Sequence, residues 1–312
     1  MSEIILHHYP LSPYSEKTRL AMGLKGLSWQ SVEIPVWTPR PKLTPMTGGY
    51  RRTPILQLGA DFYCDTLLIL AVLETQGTAG CLYPTPQAGL ARAFGWWIEK
   101  GSFMNAVCLT LGNLEGKLPQ ELIDERRPFF GVSIDPGDLS PKRSTYLQRF
   151  NAHVAWLADL LRDGRNFILG AEPSAADLSA YHPIWFARQN GGPEIAELLS
   201  FSSIVGPWYD RVAAIGHGKP TETTPDQAIE VARSTTPRDL DDWSDEAQHV
   251  GLRHGDWVSV TPDDYGNPVA GRLLAWSDDE VVLRHEDASV GAVNLHFPRV
   301  GFDVVPEQRL AA

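Results

Sequence analysis

Apolar and polar positions along the first eighty residues change period several times, and each change marks an element. Ile4, Leu6 and His8 alternate with Ile5, His7 and Tyr9 until Pro10, which predicts a strand over residues 3–9. After the turn Leu11-Ser12-Pro13 the period becomes helical, with Leu20, Ala21, Leu24 and Leu27 on one face and Glu16, Lys17 and Lys25 off it. A second strand over 29–34 completes a parallel βαβ unit with a right-handed crossover. Residues 35–50 are rich in Pro, Thr and Gly and read as an irregular loop. A short strand starting at Pro54, the turn Gly59-Ala60-Asp61 and a strand over 62–64 predict a hairpin. Asp65-Thr66 then stands where an N-cap belongs, before the all-round apolar run 67–73 of a buried helix.

Past a linker over 77–86 the helical period dominates. Leu90, Phe94, Trp97 and Gly101 form one stripe, and Tyr146, Phe150, His153, Leu157 and Leu160 form another, which predicts two long helices of a bundle. Ser174 followed by Asp177 resembles a capping box with Asp in place of Glu. Residues 219–245 lose apolar content and read as a linker with one short helix over 228–233. The period then becomes two, with strands over 257–260, 269–276, 281–285 and 293–297 separated by turn-forming residues, the pattern of a four- or five-stranded barrel.

A chain of 312 residues suits two or three domains. The pattern favours three: residues 1–80, residues 85–218 and, after a linker over 219–247, a small β domain over 248–308. No run of about 18 apolar residues could cross a bilayer, and Met1-Ser2-Glu3 lacks the basic start of an export signal, so the expected location is the cytoplasm, with no membrane partner. The net charge of −11, without any compensating Lys/Arg run, argues against nucleic acid. Cys64, Cys81 and Cys108 have neither C-x-x-C spacing nor a His partner, so buried thiols are expected and no disulfide or metal. His254, His285 and His296 are too scattered for a metal site.

Three motifs together resemble the glutathione-transferase superfamily. The segment from Tyr9 through Pro10, Leu11, Ser12, Pro13, Tyr14, Ser15, Glu16, Lys17, Thr18 and Arg19 to Leu20 is similar to that family's turn between strand one and helix one. Thr53-Pro54-Ile55-Leu56 resembles the segment holding its cis-proline, and Cys64-Asp65-Thr66 the acid-then-hydroxyl pair that opens its third helix. The resemblance continues through Ser174 and Asp177 to about residue 215 and leaves the β domain outside. It implies a thioredoxin-like α/β domain, an all-α helical domain and, as an addition, a small all-β SH3-like barrel.

The same resemblance implies glutathione as cosubstrate, held by Thr53, Pro54, Asp65 and Thr66, with Arg52 toward its glycine carboxylate. The free amides at a helix start suit the γ-glutamyl carboxylate, Asp65 suits the ammonium, and the Thr53 main chain suits the cysteinyl segment as an added strand. Serine stands at both positions where related redox proteins carry cysteine, which removes dithiol exchange. Ser12 is the leading hydroxyl for stabilising the thiolate, with Ser15, equally suited to an N-cap, and Tyr9 as alternatives. His7 and His8 are expected to line the sheet.

Trp96, Trp97, Phe103, Met104 and Trp185 offer apolar surface to a small electrophile, although helix stripes bury aromatics in any case. The β domain holds twelve Asp/Glu against five Arg over residues 245–312, and its expected role is docking in a dimer, covering an edge of the helical domain, or plain packing. Implied functions are glutathione transfer to an apolar small molecule, peroxidase chemistry, or a noncatalytic scaffold of the same fold. A homodimer is implied in each case.

Overall fold

The computed structural model describes residues 3–114, 116–127, 133–198, 203–240 and 250–307. In chain order these form β1 (Ile4–His8), α1 (Pro13–Leu24), β2 (Ser28–Glu33), α2 (Thr44–Thr47), β3 (Ile55–Leu58), β4 (Asp61–Cys64) and α3 (Thr66–Glu74). Helices α4 (Ala88–Leu111), α5 (Gln120–Arg126), α6 (Pro136–Leu139), α7 (Arg143–Leu160), α8 (Ala175–Asn190), α9 (Gly192–Leu198) and α10 (Val205–Ala213) follow. After β5 (Lys219–Glu222) and α11 (Pro225–Ser234) come β6 (Trp257–Pro262), β7 (Val269–Trp276), β8 (Glu280–Asp287), β9 (Gly291–Pro298) and β10 (Phe302–Pro306). The chain divides into two compact units, one comprising Met1–Tyr9, Trp29–Ile69 and Pro220–Ala312, the other Pro10–Ser28 and Leu70–Lys219.

The first unit is built on one sheet in the order β10-β6-β7-β8-β9-β4-β3-β1-β2-β5. Its thioredoxin-like part follows the expected pattern: β1 lies parallel to β2, with His7 opposite Val32, and antiparallel to β3, with His7 opposite Ile55. Strands β6 to β10 are antiparallel neighbours in the order of an SH3-like barrel. They do not stand apart, however. Strand β9 pairs in parallel with β4, placing Phe62 opposite Leu295 and Tyr63 opposite His296. The edge that β9 covers is that of the thioredoxin-like sheet, at β4. An uncovered β4 would present a row of unpaired main-chain groups, and β9 satisfies them.

One apolar core serves both parts of this sheet. Ile5, Val32, Ile55 and Phe62 belong to the same buried cluster as Val258, Leu273, Leu283, Val293 and Phe297. The stretch read as a linker over 219–247 carries β5 and α11, and its residues 241–247 lie outside the described residues. Helix α11 is opened by a capping box, Thr224 Oγ1 accepting the Gln227 N–H at 3.2 Å, and it buries Ala228 and Ala232. The proline- and glycine-rich loop is ordered by Arg40, which donates to the carbonyls of Pro35, Val36 and Arg51 at 2.9, 3.0 and 2.6 Å. At its end Gly48 has φ 59°, and a Cβ there would stand 2.9 Å from Val269 Cγ1, so a side chain is excluded twice over.

The second unit is helical. Its long helix α4 packs on α7 and α8, and α8 also packs on α1. The buried face of α4 is not the stripe read from the sequence. Leu90 and Trp97 are exposed, while Ala91, Gly95, Ile98, Ser102, Phe103 and Ala106 are buried. The reason is close approach: a Cβ on Gly95 would lie 3.0 Å from Ser179 Oγ of α8, so small residues face the neighbour and bulky ones are turned aside. The second stripe is corrected in the same way at its end, since Leu160 is exposed while Phe150 and Leu157 are buried. Asp177 does more than start α8. Its carboxylate accepts N–H groups from Ile168, Ser174 and the Trp208 indole at 2.8, 3.0 and 2.9 Å, which ties a loop and α10 to the helix start.

Candidate functional site

The β3–β4 hairpin delivers the chain to the start of α3 at Asp65. Among the described residues Asp65 alone, glycines aside, has positive φ, at 71°. A left-handed aspartate is locally unfavourable and persists where the surroundings hold it. Here its Oδ1 accepts the Leu67 N–H at 2.9 Å and its carbonyl accepts the Ile69 N–H at 2.9 Å. The carboxylate thus caps a helix whose first residue, Thr66, is buried.

Thr53 and Pro54 precede β3, and the peptide between them is cis. The Thr53 hydroxyl accepts from Arg40 Nη1 at 3.0 Å, so the residue that orders the preceding loop also orients Thr53. Arg52 has a busier environment than its sequence position suggests. Its Nη1 lies 3.9 Å from Asp65 Oδ2, its Nε donates to the Tyr265 carbonyl at 3.2 Å, and its Nη2 donates to Asp264 and to the same carbonyl. Its guanidinium carbon sits 4.3 Å from the centre of the Tyr265 ring. Burial would lower its basicity, but the acidic groups around it, Tyr50, Tyr265, Asp65 and Asp264, hold its proton more firmly than usual.

His7 and His8 line the sheet as expected. His7 Nε2 is 2.8 Å from Gln57 Oε1, and burial lowers its pKa to about 4, so at neutral pH it is an uncharged sheet residue. His8 Nε2 is 2.9 Å from Ser31 Oγ. Tyr9, the third-choice hydroxyl, is half-buried and packs against the core of this unit.

In the helical unit, Ser12 is the N-cap of α1: its Oγ accepts the Ser15 N–H at 3.2 Å and its carbonyl accepts the Glu16 N–H at 3.0 Å. That bond uses a lone pair of the hydroxyl and leaves its proton for another acceptor. Ser12 is 2% exposed. The Ser15 hydroxyl is buried with no hydrogen-bond partner among the described residues, so of the two serines Ser12 takes the capping role.

Just beyond, Lys17 Nζ donates to Glu99 Oε1 at 2.5 Å, and His182 Nε2 lies 3.4 Å from the same oxygen. Burial would raise the Glu99 pKa, but the Lys17 charge and His182 bring it down to about 2. Tyr14 packs on Phe103 and His182, with ring centres 4.7 and 4.8 Å away.

The five residues expected to face an electrophile are not gathered in one place. Phe103 is buried against Tyr14 and His182, whereas Trp97 is 43% exposed and stacks on Trp156 at 5.6 Å. Trp96 lies beneath the Lys100 ammonium, 4.6 Å from its ring centre, and Met104 and Trp185 are half-buried. Cys64 and Cys108 are buried as expected. Cys81 is exposed, a correction, and its thiol donates to Glu74 Oε1 at 3.0 Å.

The comparisons with known proteins agree with this architecture. Residues 6–78 match the family model for the glutathione S-transferase N-terminal domain, and residues 120–221 match that for the C-terminal domain. A crystal structure of a GST-like protein from Pseudomonas syringae is 36% identical, with TM-score 0.80, covering 97% of this chain and 99% of that one. The chain belongs to the glutathione S-transferase family. The Pseudomonas likeness extends over the terminal strands, so this member shares its whole plan with at least one relative.

A curated relative, FtsZ-localized protein A of Caulobacter vibrioides, is 27% identical over 184 residues, 57% of this chain and 74% of its own length. The glutathione S-transferase CsGST63524 of Ceriporiopsis subvermispora, solved in complex with glutathione, is 18% identical with TM-score 0.56 and shares the fold over 68% of this chain and 96% of its own. No helix among the described residues is long and apolar enough to cross a membrane.

Arg40, Asp264 and Tyr265 are the residues that sequence reasoning missed. Asp264 lies 212 positions from Arg52, and no local pattern announces such a pairing. Arg40 stands in a stretch whose proline content suggested only irregularity.

Proposed function

We propose that this chain binds glutathione and activates its thiol for attack on a small apolar electrophile. The observation that carries the reading is Asp65, a left-handed carboxylate at the start of a buried helix, immediately before the buried hydroxyl residue Thr66. That arrangement offers an anion to the ligand's ammonium and helix-start amides and a hydroxyl to its carboxylate. Thr53 would pair its main chain with the cysteinyl segment.

In this reading the thiol loses its proton to solvent, and the Ser12 hydroxyl donates a hydrogen bond to the sulfur and so stabilises the thiolate. The thiolate then gives its electron pair to the electrophilic carbon, and the leaving group departs with the bonding pair. Ser12 as a cap that accepts an N–H while keeping its own proton is compatible with that role. A homodimer and a cytoplasmic location belong to the same reading, and light scattering tests the first.

The deciding measurement is calorimetric titration of glutathione into the full chain and into Thr66→Ala. Binding at low-millimolar or tighter affinity that the variant loses supports the reading; silence at several millimolar overturns it. Ser12→Ala should then lower the turnover of model electrophiles and raise the pKa of the bound thiol.

A second reading, a noncatalytic scaffold, is favoured by the likeness to a relative whose name records localisation with FtsZ. Glutathione binding with no turnover of any electrophile, and no effect of Ser12→Ala, would select it.

A further inference from the structure

The turn that leads into α1 is fastened from within the helix itself. Arg19 folds back toward the helix start: its Nη2 donates to the Pro10 carbonyl at 3.0 Å and to Glu16 Oε2 at 2.7 Å, and its Nε donates to the same carboxylate oxygen at 3.2 Å. The spacing allows this, because residues three apart share a helix face and helical side chains lean toward the N-terminus. Arg19 is 7% exposed and Glu16 4%, so the pair is enclosed in protein and poorly screened by water.

Glu16 has a second holder. His217, in the loop after α10, places Nε2 3.1 Å from Glu16 Oε1. That loop lies so close to α1 that a Cβ on Gly23 would stand 2.0 Å from the Gly216 carbonyl oxygen. Burial would raise the Glu16 pKa, but the His217 bond and the Arg19 charge bring it below the usual value, so the carboxylate is ionised at neutral pH. The Glu16 N–H in turn donates to the Ser12 carbonyl at 3.0 Å. Ser12 is thus bracketed, since Pro10 before it and Glu16 after it are both bonded to one guanidinium.

We propose that Arg19 and Glu16 are positioning residues for Ser12: by tying the Pro10 carbonyl to the first turn of α1 they fix the place from which the Ser12 hydroxyl donates to sulfur. This role rests on the thiol-peptide reading above and adds to it the residues that aim its hydroxyl. The need is geometric. A hydrogen bond weakens steeply as its angle departs from linear, and a hydroxyl proton rotates to suit whatever acceptor is offered. The cap bond from the Ser15 N–H fixes Oγ from the helix side, and Arg19 fixes the chain that enters.

The test follows the pKa of the thiol of bound glutathione, read from the ultraviolet absorbance of the thiolate across pH at saturating peptide. Ser12→Ala should raise it by about one to two, a roughly ten- to hundredfold loss of thiolate at fixed pH, which is the worth of one hydrogen bond to a charged group. Arg19→Lys keeps the positive charge, but its side chain is one bond shorter and lacks the planar fork that spans Glu16 and Pro10. It should produce about half or more of the Ser12→Ala rise, and in the Ser12→Ala background it should add nothing, because no hydroxyl remains to be aimed. The double variant Arg19→Met with Glu16→Gln, a neutral pair of similar volume that leaves the net charge unchanged, should behave in the same way and covers the case of a lysine variant that fails to fold.

A wild-type thiol pKa in both altered proteins would overturn the proposal. So would a rise that persists undiminished without the Ser12 hydroxyl, since it would mark an effect on the frame or the field and not on Ser12. Either result leaves the heat of glutathione binding and the Ser12→Ala rise intact. A wild-type protein that binds no glutathione, or a Ser12→Ala protein with an unmoved thiol, would instead overturn the reading beneath it, and this role with it. Melting curves establish that each variant is folded under the conditions of the titration.

Discussion

Two of the places where the terminal strands meet the thioredoxin-like part differ in kind. Along the β4–β9 seam the connection is buried. His296 is fully enclosed, its Nε2 3.0 Å from Asp61 Oδ1 and its Nδ1 3.1 Å from Glu280 Oε2, and its ring stacks on Tyr63 at 4.2 Å. Asn294 adds bonds of 2.9 Å to Asp61 and to the Arg238 carbonyl. With a carboxylate at each ring nitrogen, both nitrogens act as donors, which is the imidazolium form.

At the Arg52 corner the connection is a half-exposed clamp, with the Asp264 side chain 35% open to solvent. The seam carries the attachment energy, and the corner is cheap to rearrange.

His296→Ala breaks this contrast most severely. It leaves two acids facing each other across a buried seam, and chemical denaturation should show a loss of about 3 kcal/mol or more. Gly48→Ala, at the contact of the loop with Val269, should cost about 1–2 kcal/mol through the positive φ and the crowded Cβ, read by the same method.

The pH dependence of the seam sharpens the comparison. Burial lowers the affinity of His296 for its proton, but its bonds to Asp61 and Glu280 outweigh this and its pKa is raised. Burial raises the Asp61 pKa, but the His296 bond, the Arg238 N–H and the charge of His296 bring it below the usual value. The His296 contribution is complete below the unfolded value of about 6.5 and is lost as pH rises through the folded value. The Asp61 contribution is present above about 3.8 and is lost as pH falls through its lowered folded value. The stability advantage of wild type over His296→Gln should therefore be greatest between about pH 4 and 6.5 and shrink in alkali. Melting temperatures across that range check it, and a difference that grows above pH 8 would contradict the assignment. Smallest of all, Asp264→Asn should change stability by only about 0.5 kcal/mol, since it loosens a partly solvated pair.

Much of the frame was legible in the chain itself. The strand ending at Pro10, the hairpin around Gly59, the box at Ser174 and Asp177, and the period-two strands of the C-terminal third are local signals, each written within a few residues. Helix α4 was legible as a helix but not in its facing. Hydropathy assigns Trp97 to a core, whereas close approach of α8 rewards Gly95 and Ser102, which a hydropathy pattern counts as neutral. The capping roles of Ser12 and Asp65 were legible because those residues sit at helix starts, where capping chemistry leaves a mark.

What the sequence determined by itself, then, is the order and type of the elements, because backbone period, caps and turns are properties of neighbouring residues. Only the tertiary structure decided where β9 pairs, which face of α4 is covered, and that Asp264 and Tyr265 reach Arg52 across more than two hundred positions. Those choices depend on which buried polar groups and uncovered edges find partners in space, and a linear chain carries no local record of that pairing.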